Sequence, residues 1–221
     1  MMTDSMNGLR RWVALARWVA LFAGIFGAFA ASAAAPSWPA ATNETRPWVY
    51  NWWMGSAVDA DGLEAQCRAL AEQGFGGFHV IPIYGAKGHE ASFRTFLGEA
   101  WRNAFADAVR IGKAQGLGVD LTTGSGWCFG GPQLAREQGC WRLAKTKDGA
   151  APWVEPVLTG QQVKRAGTGG RGPMMDPFSV AAIEAFLTPF SAAFDRPGAA
   201  RPLRLYHDSW EYFGADWTRV T

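Results

Sequence analysis

An α/β fold built on a parallel sheet is predicted by three observations. Apolar runs of strand length recur along the chain, and they alternate with segments of helical periodicity. The links entering each run are short, whereas the links leaving them are long and rich in polar and aromatic residues. That asymmetry fits a (β/α) barrel, whose functional site is made by the loops after its strands. A closed barrel has eight strands and about 250 residues, and this sequence offers four strand–helix units at most. The expectation is therefore the N-terminal half of a (β/α)8 TIM-type barrel with an inserted β excursion, and a chain that is a fragment.

The elements follow in order. Trp48 to Met54 is an apolar, aromatic run that reads as a buried strand. Asp59 or Asp61 caps the next segment, in which Leu63, Cys67, Leu70 and Ala71 recur at helical spacing until Gly74. Residues 75–83 form a second buried strand. Trp101, Phe105, Ala108 and Val109 mark a second helix that ends near Gly116. Residues 117–121 are a third strand, 181–190 a third helix and 203–206 a fourth strand. Residues 136–176 break this rhythm with scattered Gly and Pro and an excess of basic side chains. Within them, 142–144 and 161–164 read as short paired strands of an antiparallel insertion. No G-x-G-x-x-G follows the first strand, which sets the nucleotide-binding doubly wound sheet aside.

The first 33 residues read differently. Arg10 and Arg11 precede an apolar stretch, and after Arg17 it runs uncharged from residue 18 to residue 31. Ala31-Ser32-Ala33 supplies a small-residue cleavage site, so residues 1–33 read as a secretory signal peptide cut after Ala33. The uncharged stretch is short for a membrane helix, which needs about 20 residues, and no stable membrane span is expected after cleavage. The product would be exported, to the periplasm or outside the cell. Residues 34–46 form an Ala/Pro/Thr-rich linker, and residues 47–221 form the body. Eighteen basic and eighteen acidic residues remain after residue 33. That neutral balance argues against nucleic acid, whose binders carry a basic patch. Cys67, Cys128 and Cys140 make neither a C-x-x-C nor a zinc site, and a Cys128–Cys140 disulfide is open in an oxidising compartment.

The chemistry points to sugars. Each post-strand segment sets Trp or Tyr beside carboxylates and hydroxyls. Aromatic rings stack on the C–H face of a sugar, while Asp, Asn and His hold its hydroxyls. Trp52, Trp53, Trp127 and Trp210 sit at strand ends and are candidate stacking residues, as is Tyr84 after the second strand. Asp120, His207 and Asp208 are candidate hydroxyl or cation ligands. Glu211 is the candidate general acid, since cleavage of a glycosidic bond requires a carboxylic acid to protonate the leaving oxygen. Flanked by Trp210 and Tyr212, its pKa is expected to rise by desolvation. His79 reads as a core histidine and His89-Glu90 as a solvated loop pair. No H-E-x-x-H, G-x-S-x-G or S-x-x-K occurs, so zinc protease and serine hydrolase readings have no support.

Several segments resemble, in order, the α-L-rhamnosidases of glycoside hydrolase family 106. Arg46-Pro47-Trp48-Val49-Tyr50-Asn51-Trp52-Trp53-Met54-Gly55 resembles the opening of their catalytic barrel. Gly76-Gly77-Phe78-His79-Val80-Ile81-Pro82-Ile83-Tyr84-Gly85 resembles the second strand. Residues 120–132 and 208–218 are similar to the third and fourth strand segments, and Lys164-Arg165-Ala166 and Met175-Asp176-Pro177-Phe178-Ser179 match in register. The resemblance implies an exported inverting hydrolase acting on rhamnose-containing oligo- or polysaccharides, with a calcium requirement. It gives Glu211 the part of general acid and puts the general base on a later strand, beyond residue 221. This polypeptide alone is then expected to be inactive. The competing reading is a non-catalytic periplasmic carbohydrate-binding protein that uses the same aromatics.

Overall fold

The computed structural model describes residues 37–145 and 154–219. The expected signal peptide lies outside the described residues. By compactness the chain divides into residues 1–40 and residues 41–221, and every element below lies in the second unit.

Four strands form one parallel sheet: β1 Trp48–Met54, β2 Gly77–Ile83, β3 Gly118–Thr122 and β6 Leu205–Tyr206, in the spatial order β1-β2-β3-β6. Three helices connect them: α1 Ala60–Glu72, α2 Glu99–Ala114 and α3 Val180–Phe194. The local signals hold up well. The Asp59 side chain accepts a hydrogen bond from the Gly62 amide at 2.7 Å, so Asp59 rather than Asp61 caps α1. Gly74 and Gly116 follow the first two helices with φ near +81° and +72°, the left-handed conformation that glycine adopts without penalty. Ser179 caps α3 by accepting from the Ala182 amide.

The insertion is paired differently from the expectation. A hairpin does form, but β4 Trp141–Lys145 pairs with β5 Val154–Leu158. The 161–164 segment leaves the hairpin and bridges instead to Pro173 and, through Lys164, to Trp127. It thereby lies against the loop after β3, a long-range contact that no local pattern announces.

The two faces of the four-stranded sheet are unlike. Strand alternation sends Val49, Trp53, Phe78, Val80, Val119 and Leu121 to the face where the helices pack. There they meet Leu63 and Cys67 of α1, Trp101, Phe105, Ala108 and Ile111 of α2, and Ala182, Phe186, Phe190 and Phe194 of α3. The opposite face carries Trp48, Tyr50 and Trp52 of β1, His79 of β2, Asp120 of β3 and Tyr206 of β6. Gly77 and Gly118 let the Trp48 ring lie flat against the sheet. A Cβ at either position would come within 2.5 Å of that ring. Residues 41–219 thus make a mixed α/β unit with one parallel sheet, which the described residues do not close into a barrel.

Among the described residues no helix is long and apolar enough to cross a membrane. Cys67, Cys128 and Cys140 are all buried free thiols, so the Cys128–Cys140 disulfide is not formed. Burial pushes the Cys67 thiol up to about 11 and the Cys140 thiol up to about 12.

Candidate functional site

The loops after the four parallel strands carry the candidate site, at the end of the sheet where Met54, Ile83, Thr122 and Tyr206 finish. The loop after β3 is held close to the sheet: the Gly126 amide donates to the Pro82 carbonyl at 2.8 Å. Trp127 and Lys164 then exchange both backbone hydrogen bonds, at 3.0 and 2.6 Å. Gly126 is required there, because a Cβ would sit 2.1 Å from the Lys164 carbonyl oxygen. Lys164 and Arg165, from the insertion, are in this way delivered to the strand ends.

Glu211 completes the group. Lys164 Nζ donates to Glu211 Oε2 at 2.8 Å, and the Ser209 hydroxyl donates to Oε1 at 2.8 Å. The ammonium also lies 5.0 Å from the Phe213 ring centroid. The hydrogen bond from Lys164 first, and that from Ser209 second, hold the Glu211 carboxyl below its ordinary range. This corrects the expectation of a raised pKa: both carboxylate oxygens face donors, and desolvation by the neighbouring rings is the weaker influence.

The aromatic candidates divide. Trp52 is 43% exposed and lies 6.1 Å from Trp127, ring centre to ring centre. Tyr84 joins them through Arg165, whose Nη1 donates to the tyrosine hydroxyl at 2.8 Å. These three rings edge one rim. Trp53, the next residue after Trp52, is fully buried on the helix face, 6.0 Å from Trp101 and 6.5 Å from Phe105. The expectation that Trp53 binds substrate is therefore corrected: strand alternation makes it core. Trp210 is 65% exposed and sits with His207 and Phe129, at 4.8 and 5.7 Å. Trp210 and Tyr212, with Trp141, Phe178 and Trp217, line a cavity of about 590 Å³.

The polar candidates also divide. Asp120 is 2% exposed and lies within β3 rather than past its end. Its oxygens accept from Arg204 Nε at 3.3 and 3.2 Å. His79, its register partner on β2, places Nδ1 3.2 Å from Asp120 Oδ2, out of line for a hydrogen bond. His79 stacks on Tyr206 at 4.6 Å, and the Tyr206 and Tyr50 hydroxyls are hydrogen-bonded. Arg204 covers Trp48 at 4.3 Å. Asp120 is thus engaged by protein groups on the open sheet face. His79 faces that same polar cluster rather than the apolar core expected of it. Burial lowers the His79 pKa, against the pull of Asp120. His207 is buried to its Nε2, which has no hydrogen-bond partner among the described residues, and burial lowers its pKa too. Asp208 follows it in the same loop and makes no side-chain hydrogen bond among the described residues.

The residues that sequence reasoning left without a role are Lys164 and Arg165. The signal was present in the two adjacent cations inside an otherwise Gly-rich stretch, but no local pattern tied them to Glu211, 47 residues away. Among the described residues no three His, Cys, Asp or Glu side chains are grouped to hold a metal ion. The calcium requirement rests on the family resemblance alone, and no step below runs through calcium.

No protein-family model matches the chain, and no curated protein matches it. Among solved structures, the rhamnosidase from Novosphingobium sp. PP1Y is similar, with 20% sequence identity over 56% of this chain and a TM-score of 0.41. The match spans 11% of that protein, so the two are alike over a small part of its length.

Proposed function

We propose that the strand-end site binds a glycan and belongs to a glycoside hydrolase of α-L-rhamnosidase type, with the sheet as the N-terminal half of a (β/α)8 barrel. One observation carries the reading: the Glu211 carboxylate sits at the ends of parallel strands, fixed through both oxygens, beside a rim of Trp52, Trp127 and Tyr84. Fixed carboxylates next to stacking rings are what glycosidic cleavage uses. The ordered motif resemblance supports rhamnose as the sugar. Exported location and rhamnose-containing oligo- or polysaccharide partners belong to this same proposal.

Glu211 is assigned the proton transfer to the leaving oxygen. In the unliganded site Lys164 and Ser209 keep it ionised, so it serves as an acid only when an entering glycosidic oxygen displaces one of these donors and the carboxyl takes up a proton. The inverting reaction also requires a second carboxylate about 6.5–9.5 Å away to activate water. By the resemblance that base lies beyond residue 221, and this polypeptide alone is proposed to bind without turnover. Measurable hydrolysis of 4-nitrophenyl α-L-rhamnoside by the purified chain would refute the proposed inactivity. Retention of full activity by an active longer form carrying Glu211→Gln would refute the acid assignment, since loss of a general acid costs about a hundredfold or more. The Lys164 contact gives weight to a second reading, a non-catalytic carbohydrate-binding protein. In that case Glu211→Gln weakens glycan binding and no form of the protein turns substrate over.

A further inference from the structure

We infer that Arg165 reads a negatively charged substituent, a carboxylate or a sulfate ester, on the glycan bound at the strand-end site. The inference rests on the glycan reading above and adds the chemical class of the ligand. Two cations stand side by side at the rim, and their situations differ. The Lys164 ammonium is matched by Glu211 at 2.8 Å. The Arg165 guanidinium has no carboxylate within ion-pair distance among the described residues. It lies 5.5 Å from the Tyr84 ring centre and 5.7 Å from the Trp127 ring centre. One donor, Nη1, is used on the Tyr84 hydroxyl. Its other donors have no protein acceptor among the described residues, although guanidinium has five N–H groups in a planar fork.

The arrangement is built rather than incidental. Arg165 has φ near +54°, a left-handed conformation rare for a side chain larger than glycine. It is held there by the Tyr84 amide, which donates to the Arg165 carbonyl at 3.0 Å, and by the backbone pairing of the preceding residue with Trp127. Strain of this kind persists where the surroundings over-determine it, and it concentrates at ligand sites. Two aromatic rings flank the exposed guanidinium within cation–π distance and fix its place at the rim. A planar fork so oriented suits bidentate capture of an oxyanion. Trp52 and Trp127 lie beside it as surfaces for the sugar ring, so the ring and its charged substituent are received together.

Isothermal titration calorimetry on the full chain tests this, with α-L-rhamnosyl-(1→4)-glucuronic acid, its carboxyl-reduced neutral counterpart and a sulfated methyl rhamnoside. The acidic disaccharide should bind at least about tenfold more tightly than the neutral one, as expected for a charge-assisted pair. Arg165→Gln should erase the ratio between acidic and neutral affinities, compared within that variant because Arg165 also holds the Tyr84 hydroxyl; Arg165→Lys should keep part of the ratio, because a point charge replaces the fork. The sulfated rhamnoside tells the two anion sources apart by which of them shows the Arg165-dependent gain. Equal affinity for acidic and neutral disaccharides, together with no Arg165-dependent gain for the sulfated rhamnoside, overturns the inference while leaving the rhamnoside reading standing, as does an anion preference that survives Arg165→Gln. If glucuronic acid oligomers without rhamnose bind equally well through Arg165, the anion inference stands and the rhamnoside reading falls. Absence of binding by every probe overturns both.

Discussion

Trp52 and Trp53 are chemically identical neighbours on one strand, and they do opposite work. Trp53 enters the helix-covered face, where it has no exposed surface and packs on Trp101 and Phe105. Trp52 emerges on the open face at 43% exposure and meets Trp127 across the strand ends. The same contrast runs over the whole sheet. One face is mostly hydrocarbon, with Asn51 bonded to Gln66 at its edge; the other sets Trp48, Tyr50, His79, Asp120, Arg204 and Tyr206 beside the buried Ile81 and Ile83. The lesson is that a parallel sheet with helices on one side leaves its other side free for polar work. Stability and recognition therefore fall on alternate residues of the same strands.

The largest expected effect breaks that comparison most directly. Trp53→Ala removes a fully buried ring and should cost about 3–5 kcal/mol in urea unfolding, whereas Trp52→Ala should cost well under half as much. Equal costs would mean that the open face is as much a core as the covered one. Asp120→Ala comes next. It leaves Arg204 without its acceptor, removes the carboxylate beside His79, and should destabilise by about 1–3 kcal/mol. Because Arg204 is 45% exposed at its side chain, the lower part of that range is expected. A double-mutant cycle with Arg204→Met separates the ion pair from the lost packing.

A smaller effect sharpens the polar side of the comparison through pH. Burial sets the folded pKa of both His79 and His207 below the ordinary histidine value of 6.5. The unfolded chain then binds more protons than the folded one across that window, so stability should rise with pH. The loss on acidification begins near pH 6.5 and levels off below the depressed folded values. His207→Gln should flatten the slope measured by thermal unfolding between pH 7 and 5; an unchanged slope would place the titration elsewhere. Glu211 adds a loss of the same sign at lower pH. Its folded pKa is lowered, so its contribution is present above pH 4.5 and is lost as the pH falls through the folded value. The smallest effect concerns the thiols. Cys67 and Cys140, with pKa values pushed up to about 11 and about 12, should resist alkylation by iodoacetamide at pH 8 until the chain is denatured. Rapid native labelling of Cys67 would show that the covered face opens, and of Cys140 that the small cluster with Cys128 and Met174 does.

Much of the fold was legible because its signals are local. Strands of unbroken apolar residues, helices at a period of 3.6, Asp59 at a cap and Gly74 and Gly116 at helix ends each depend on a few neighbouring residues. Less of the site was legible. The aromatic richness of the post-strand loops was visible, and so was the carboxylate of Glu211. The pKa of Glu211 was misjudged because its decisive neighbour, Lys164, lies in the insertion and reaches it only through the pairing of Lys164 with Trp127. Trp53 was misplaced for a related reason: a strand that is apolar on both faces conceals its own alternation. Asp120 read as a strand-end ligand because nothing local reveals that Arg204, 84 residues on, closes over it.

By itself, then, the sequence determined the alternation of strands and helices, the ends of the first two helices and the placing of aromatics after the strands, while the third helix runs to Phe194 rather than stopping at the expected residue 190. Those follow from the rotamer and backbone preferences of adjacent residues and from hydrophobic periodicity. Only the tertiary structure decided which Trp is core, which strand β4 pairs with, and that Lys164 and Arg165 stand at the strand ends beside Glu211. These are contacts between residues far apart in the chain. Their geometry is set by how the helices seat the sheet and how the insertion folds back onto it.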